Sequence, residues 1–419
     1  MQRGYHYMRL LIAILFTLTV AGPAAAVEIE YWQYSYKTRL DAMDKLIAQF
    51  EAENPDITVI HTDFPYAQYR TKVAASVAAG EGPDVVQLYY GWLSDYLSAE
   101  ILQPLPTSEF PHSEIEDEFF PMVGNMNVKG EYYALPTAVR SLGLFWNKKL
   151  FRDAGLDPER PPQTLDELVD MAKKLTKYDR AGNIIQVGLT MGPINQDHNW
   201  WREVLVRQFG GAPYNEDTTK VTYDDKAGLK AFQYYADFVL KHNVSVVDFM
   251  DKGEIAFKAG RAAMHIDGSF VLSTFQRARR LEWGVTELPS HNAIKANFSS
   301  YWVNGITSKA VGEKKAAAEK FLKFITTNQA MQLWLDDVGE LPARKAVAMR
   351  AENSDHPLYG AFIRGLDYAY TTDFYSEAAQ RKTVVDMLDR IVLTGMGVAE
   401  SLSIAAAEDQ KIIDEGRIE

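Results

Sequence analysis

Cysteine is absent from this 419-residue chain, so no disulfide can staple the fold and no thiol can carry a lipid. Lysine and arginine never gather into a run, and the formal net charge is −12. That balance argues against nucleic acid or an anionic membrane surface as a partner. A membrane-spanning helix needs about 20 consecutive apolar residues, and the longest apolar run, Leu10 to Val20, is too short. No G-x-S-x-G or H-E-x-x-H motif occurs. The histidines, among them His198, His242, His265 and His291, are scattered without metal-ligand spacing. No catalytic residue, metal site or cofactor is therefore expected.

What is present is an ordinary globular composition, 47% hydrophobic and 24% charged, in a chain too long for one core. Two lobes are the first expectation. Arg3 and Arg9 precede the apolar run, and Ala24 to Ala26 supplies a small-residue cleavage site. Residues 1–26 thus read as an export leader. Met8 is an alternative start. Export without cysteine points to a free periplasmic protein and a Gram-negative source.

Val27 to Trp32 alternates like a strand, and Thr38 with Asp41 reads as the cap of a helix carrying Leu40, Met43, Leu46, Ile47 and Phe50. Asn54-Pro55 stops it. A strand from Ile57, a helix from Tyr66 to Ala79, a Gly80–Asp84 turn and a strand from Val85 follow. Strand–helix alternation with short links predicts a parallel α/β sheet covered on both faces. Further on, Ser141 to Trp146 reads as a strand and Asn147 to Ala154 as a short helix. Thr164 and Glu167 form a T-x-x-E capping box. Asp179 and Gly182 read as a hairpin turn, since the spaced acidic ligands of a calcium loop are missing. Helices are predicted over 200–209, 225–241, 314–326, 329–336, 383–393 and 401–413.

Four blocks, in order, resemble the family 1 extracellular solute-binding proteins of the maltose-binding type. They are FEAENPDITV from Phe50 with AAGEGPDVV from Ala78; ALPTAVRSLGLFWNKKLFRDAGL from Ala134; FKAGRAAMHIDGSF from Phe257; and NGITSKA from Asn304 with LPARKAV from Leu341. The resemblance implies a two-lobed periplasmic-binding-protein fold of α/β class with discontinuous lobes. The N-terminal lobe would hold residues 27–138 and 287–340, and the C-terminal lobe 139–286 and 341–419. Hinge crossings would fall near Pro136–Arg140, Val285–Pro289 and Glu340–Arg344. Ligand would sit in the cleft between the lobes, trapped by closure.

By the same resemblance, ligand contacts are expected from Gln33, Tyr34 and Tyr36 after the first strand, and from Tyr90 and Trp92 after the third. Arg140 stands where maltose-type members tend to carry an acidic residue; it would grip an anion or pair with a carboxylate of the protein. His198 and Trp200 align with the segment that bears a ring-stacking aromatic. Asp267, Gly268 and Phe270, then Tyr301 and Trp302, and finally Arg344 complete the expected set. The function implied is the capture of a sugar or small glycoside for the membrane permease of an ATP-driven importer, by a protein working as a monomer. An anionic sugar derivative or glycerophosphodiester is the alternative ligand. An exported carbohydrate-active enzyme is a remote one, since paired carboxylates alone would have to carry it.

Overall fold

The computed structural model describes residues 26–416; the export leader expected over residues 1–26 lies outside it but for its last residue. Strands Val27–Tyr34, Ile57–Phe64 and Val85–Tyr89 form the parallel sheet that their spacing predicts, with Val27 opposite Ile57 and Tyr31 opposite Val85. Helix Lys37–Glu53 buries Ala42, Met43, Leu46, Ile47 and Phe50 against this sheet. Thr38 is not its cap. The helix begins one residue earlier, after an extended Tyr36, and no side chain caps it. Gly80 and Gly82 adopt φ of +75° and +109°, which explains glycine in the turn before the third strand.

Two strands belong to both lobes. Ala134–Asn147 is longer than its sequence suggests: 14 residues, almost wholly buried. Its first half pairs antiparallel with Asn297–Ile306; its second half pairs with Ala262–Gly268 and with Trp283–Thr286. Strand Ile184–Leu189 extends the second sheet, parallel to Ala262–Gly268. The short strand Leu341–Pro342 pairs with Ala138 and Val139, so the crossings converge there. Opposite Val303 the register slips past Thr137, a bulge that bends the long strand where the lobes part.

At the expected crossing Val285–Pro289, Val285 pairs with Phe145, and Ser290 is hydrogen-bonded to Gln163 and Leu165. Strand Asn297–Ile306 pairs with both Val85–Tyr89 and Ala134–Asn147. Arg344 and Lys345 in turn face Glu114, Glu116 and Asp117 of the first lobe.

Caps follow local chemistry. Asn147 accepts from the Leu150 N–H and Thr164 from the Glu167 N–H. Glu167 returns its bond to the N–H of Gln163 rather than to that of Thr164, so half the capping box forms. The helices Glu377–Thr394 and Val398–Gly416 close the second lobe. Buried Asp409 ties them down, accepting from Tyr214, Tyr223 and Gln380 at 2.8, 3.1 and 2.9 Å. Among the described residues no helix is long and apolar enough to cross a membrane.

Candidate functional site

The first lobe presents rings to the cleft. Tyr34 ends the first strand and Trp302 stands on the crossing strand, their ring centroids 4.2 Å apart. Trp92 meets Trp302 edge-on at 5.3 Å, and Tyr89 lies 5.8 Å from it. Tyr66 opens the helix Tyr66–Ala78 and sits edge-on to Tyr34 at 5.6 Å, yet keeps 58% of its surface exposed. Five rings therefore form one cluster, with Tyr66 exposed, Tyr89 and Trp302 half-buried, and Tyr34 and Trp92 buried beneath them.

Charges line the opposite wall. Glu377, Arg381 and Arg140 lie within electrostatic range of the phenols of Tyr66 and Tyr89, whose pKa values are raised first by burial and then by Glu377, against the pull of the arginines. Arg381 donates to Glu377 at 2.8 Å and to the Ile194 carbonyl at 2.6 Å. Phe270 adds one ring, with the Arg140 guanidinium 5.4 Å from its centroid. A Cβ on Gly268 would collide with the Phe270 ring, which accounts for glycine there.

At the hinge end, Glu340 gathers both lobes. Arg39 donates to it twice, at 2.6 and 3.2 Å, Arg140 once at 2.7 Å, and the Trp334 indole N–H at 3.0 Å. Burial by itself would raise the Glu340 carboxyl; Arg140, Arg39 and Trp334 overcome it and hold the group down to about 2. Burial brings Arg39 down to about 10 although Glu340 opposes it. A cavity of about 390 Å³ beside this network is lined by Tyr36, Arg39, Arg140, Ser269, Phe270 and Tyr359, drawn from both lobes. A larger hollow, about 1020 Å³, has walls from the second lobe alone, such as Asp166, Tyr234 and His291, so hinge closure cannot shut it.

The expected residues separate into groups. Tyr34, Trp92 and Trp302 join the ring wall; Tyr36, Arg140 and Phe270 line the cavity. Asp267 and Gly268 end the strand leading to Phe270, with Asp267 accepting from the Gly268 N–H and facing His265. Gln33 is wholly buried and accepts from Tyr31. Tyr90 and Tyr301 stack on each other at 4.8 Å inside the first lobe, and Tyr301 donates to the Met122 carbonyl. Trp200 is 1% exposed and packs on Tyr235 and Phe238. The π-helical winding over Trp200–Leu205 turns both it and Trp201 inward. His198 is likewise buried, and burial pushes its imidazole well down. Arg344 lies away from both walls, donating to the Thr326 carbonyl and pairing with Glu114 and Glu118. The sequence reading missed Arg39, Ser269, Glu377 and Arg381 as cleft residues. Among the described residues no group of three or more side chains could hold a metal ion.

Comparison with known proteins agrees with this architecture. The chain is 26% identical over 352 residues to the maltotriose-binding protein of Pyrococcus abyssi, covering 82% of this chain and 72% of that one. It is 25% identical over 359 residues to the sn-glycerol-3-phosphate-binding periplasmic protein UgpB of Escherichia coli, covering 80% and 78%. In fold it matches the cyclic alpha-maltosyl-1,6-maltose binding protein from Arthrobacter globiformis with a TM-score of 0.83 at 20% identity, over 93% of this chain and all of that one. The family profile described as bacterial extracellular solute-binding protein matches residues 45–361, three quarters of the chain, and with two lobes strung on shared crossing strands this protein belongs to that family.

Proposed function

We propose that this protein captures a sugar or small glycoside between its lobes and passes it intact to the permease of an ATP-driven importer. The observation that carries the reading is the ring cluster around Trp302, which leaves Tyr66 exposed and Tyr89 and Trp302 half-buried on the side where Arg140, Glu377 and Arg381 act on the two phenols. Ring faces suit the C–H faces of a pyranose, and fixed polar groups suit its hydroxyls. The names of two relatives, a maltotriose-binding and a glycerol-3-phosphate-binding protein, support a polyhydroxylated ligand. Its action is binding and release only, with no bond made or broken. The protein acts as a monomer in the periplasm of a Gram-negative cell, its leader removed.

Thermal denaturation of the leaderless protein across a panel of saccharides and polyols tests this. A true ligand at 100 times its dissociation constant adds about 2.7 kcal/mol of stability. Solution scattering with that ligand should show a more compact particle, and the ligand should be recovered unchanged. A panel that shifts neither melting temperature nor envelope would refute the proposal.

A further inference from the structure

The hinge end of the cleft holds an unbalanced charge. Arg39 and Arg140 bring two positive charges and Glu340 returns one, with side chains only 7, 13 and 8% exposed. Glu340 is already fully engaged by Arg39, Arg140 and Trp334. Arg39 Nη1 and Arg140 Nη2 consequently remain buried without a hydrogen-bond acceptor. Arg140 Nη2 lies 2.5 Å from Glu340 Oε1 but out of line for donation. Ser269 Oγ is a third buried polar atom without a partner. All three side chains line the same 390 Å³ cavity.

The other charges there do not cancel this surplus. Asp337 is paired with Lys45 at 2.7 Å, and Asp336, whose own partner Gln332 is neutral, offsets Arg277, so the single positive charge left by Arg39, Arg140 and Glu340 remains. A buried guanidinium N–H without an acceptor is costly, and Arg39 Nη1, the Ser269 hydroxyl and an Arg140 Nη2 held to Glu340 only out of line together offer an oxyanion its donors. The volume suits a single sugar-sized group.

We propose that the natural ligand bears an oxyanion, a carboxylate, phosphate or sulfonate, that lodges between Arg39 and Arg140 and accepts from Ser269. This rests on the sugar-receptor reading and narrows its ligand class. The bound oxyanion supplies the missing acceptors and neutralises the surplus charge. It touches a residue of the first lobe, a crossing and a residue of the second lobe, so binding it also draws the lobes together.

Calorimetric titration of the leaderless protein with matched pairs tests the assignment: glucuronate against glucose, galacturonate against galactose, glucose 6-phosphate against glucose, glycerol 3-phosphate against glycerol, and inorganic phosphate alone. At least one charged member should bind ten-fold or more tightly than its neutral parent. That ratio should fall at least ten-fold in Arg140→Met and recover in part in Arg140→Lys. Ser269→Ala removes only an unpartnered hydroxyl and should lower the ratio about three-fold, which keeps the test alive if Arg140→Met does not fold. Preference for uronates identifies a carboxylate; competition by inorganic phosphate identifies a phosphate. If neutral parents bind as tightly as every charged form, the oxyanion proposal falls and the sugar receptor stands. If nothing in the panel binds, the receptor reading falls too.

Discussion

The two walls of the cleft solve different halves of recognition. The first-lobe wall is a lattice of rings held by one another, with Trp302 touching Tyr34, Tyr66, Tyr89 and Trp92. Its energy is area and dispersion, tolerant of which sugar lies on it. The hinge and second-lobe wall is ionic: Arg140, Glu340, Glu377 and Arg381 are fixed by hydrogen bonds at or below 2.8 Å. Such groups discriminate sharply, because a ligand that leaves one unpaired loses its desolvation energy. On the proposed reading the rings would supply affinity and the ions choice.

The harshest test of the ionic wall removes its anion. Glu340→Gln leaves Arg39 and Arg140 facing each other in a buried site, and breaking such a network costs about 3–5 kcal/mol. Denaturant unfolding at neutral pH should record that loss. The sign with pH follows from the carboxyl held at about 2, below its ordinary 4.5. The folded state binds fewer protons than the unfolded one across that interval, so the wild type loses this stability as pH falls from about 4.5 through about 2. The variant should lose that slope. A variant as stable as the parent would mean the network is not a brace.

On the ring wall, Trp302→Ala should weaken ligand binding by about 2 kcal/mol, some thirty-fold. Phe270→Ala, taking a ring from the opposite wall, should cost about 1 kcal/mol. Titration of both variants with the same ligand orders them. A larger loss at Phe270 would reverse the roles of the walls.

An effect of stability alone separates carboxylates within the second half of the molecule. Asp197 accepts from the Gly192 N–H at 2.8 Å and from Tyr235 at 3.1 Å, yet burial pushes its carboxyl up to about 6. Here the folded state binds the extra proton, so stability declines as pH rises from about 4 to about 6, opposite in sign to Glu340. Asp197→Asn should flatten that decline, worth on the order of 1–2 kcal/mol. Melting temperatures taken at both pH values for the two proteins check it.

How much of this was legible depends on the range of the interaction concerned. The first strand, the helix over Met43–Phe50 and the Gly80–Asp84 turn follow from local pattern, and the structure keeps them. The length of strand Ala134–Asn147 was not legible, since its partners Asn297–Ile306 and Leu341–Pro342 lie some 160 to 200 residues away. The burial of Trp200 was not legible, because the π-helical winding over Trp200–Leu205 leaves no mark in an apolar pattern. Arg39 looked like any polar residue on a helix face; only Glu340, 301 residues on, makes it a cleft group. Glu377 and Arg381 are an ordinary i, i+4 pair in sequence, and their direction depends on how Asp409 seats the last two helices.

Arg344 marks the limit of the ionic wall. The sequence places it in the third crossing, beside Glu340, where it reads as a ligand group. Its guanidinium instead donates to the Thr326 carbonyl at 2.7 Å and lies 4.7 Å from the Phe119 ring centroid, on the first lobe. Arg344→Gln should therefore cost about 1 kcal/mol of stability through the Thr326 carbonyl, while ligand affinity stays within two-fold. Unfolding and titration of the same preparation separate the two effects. A ten-fold loss of affinity would carry the charged wall round to the third crossing, and the division between rings and ions would have to be redrawn from there.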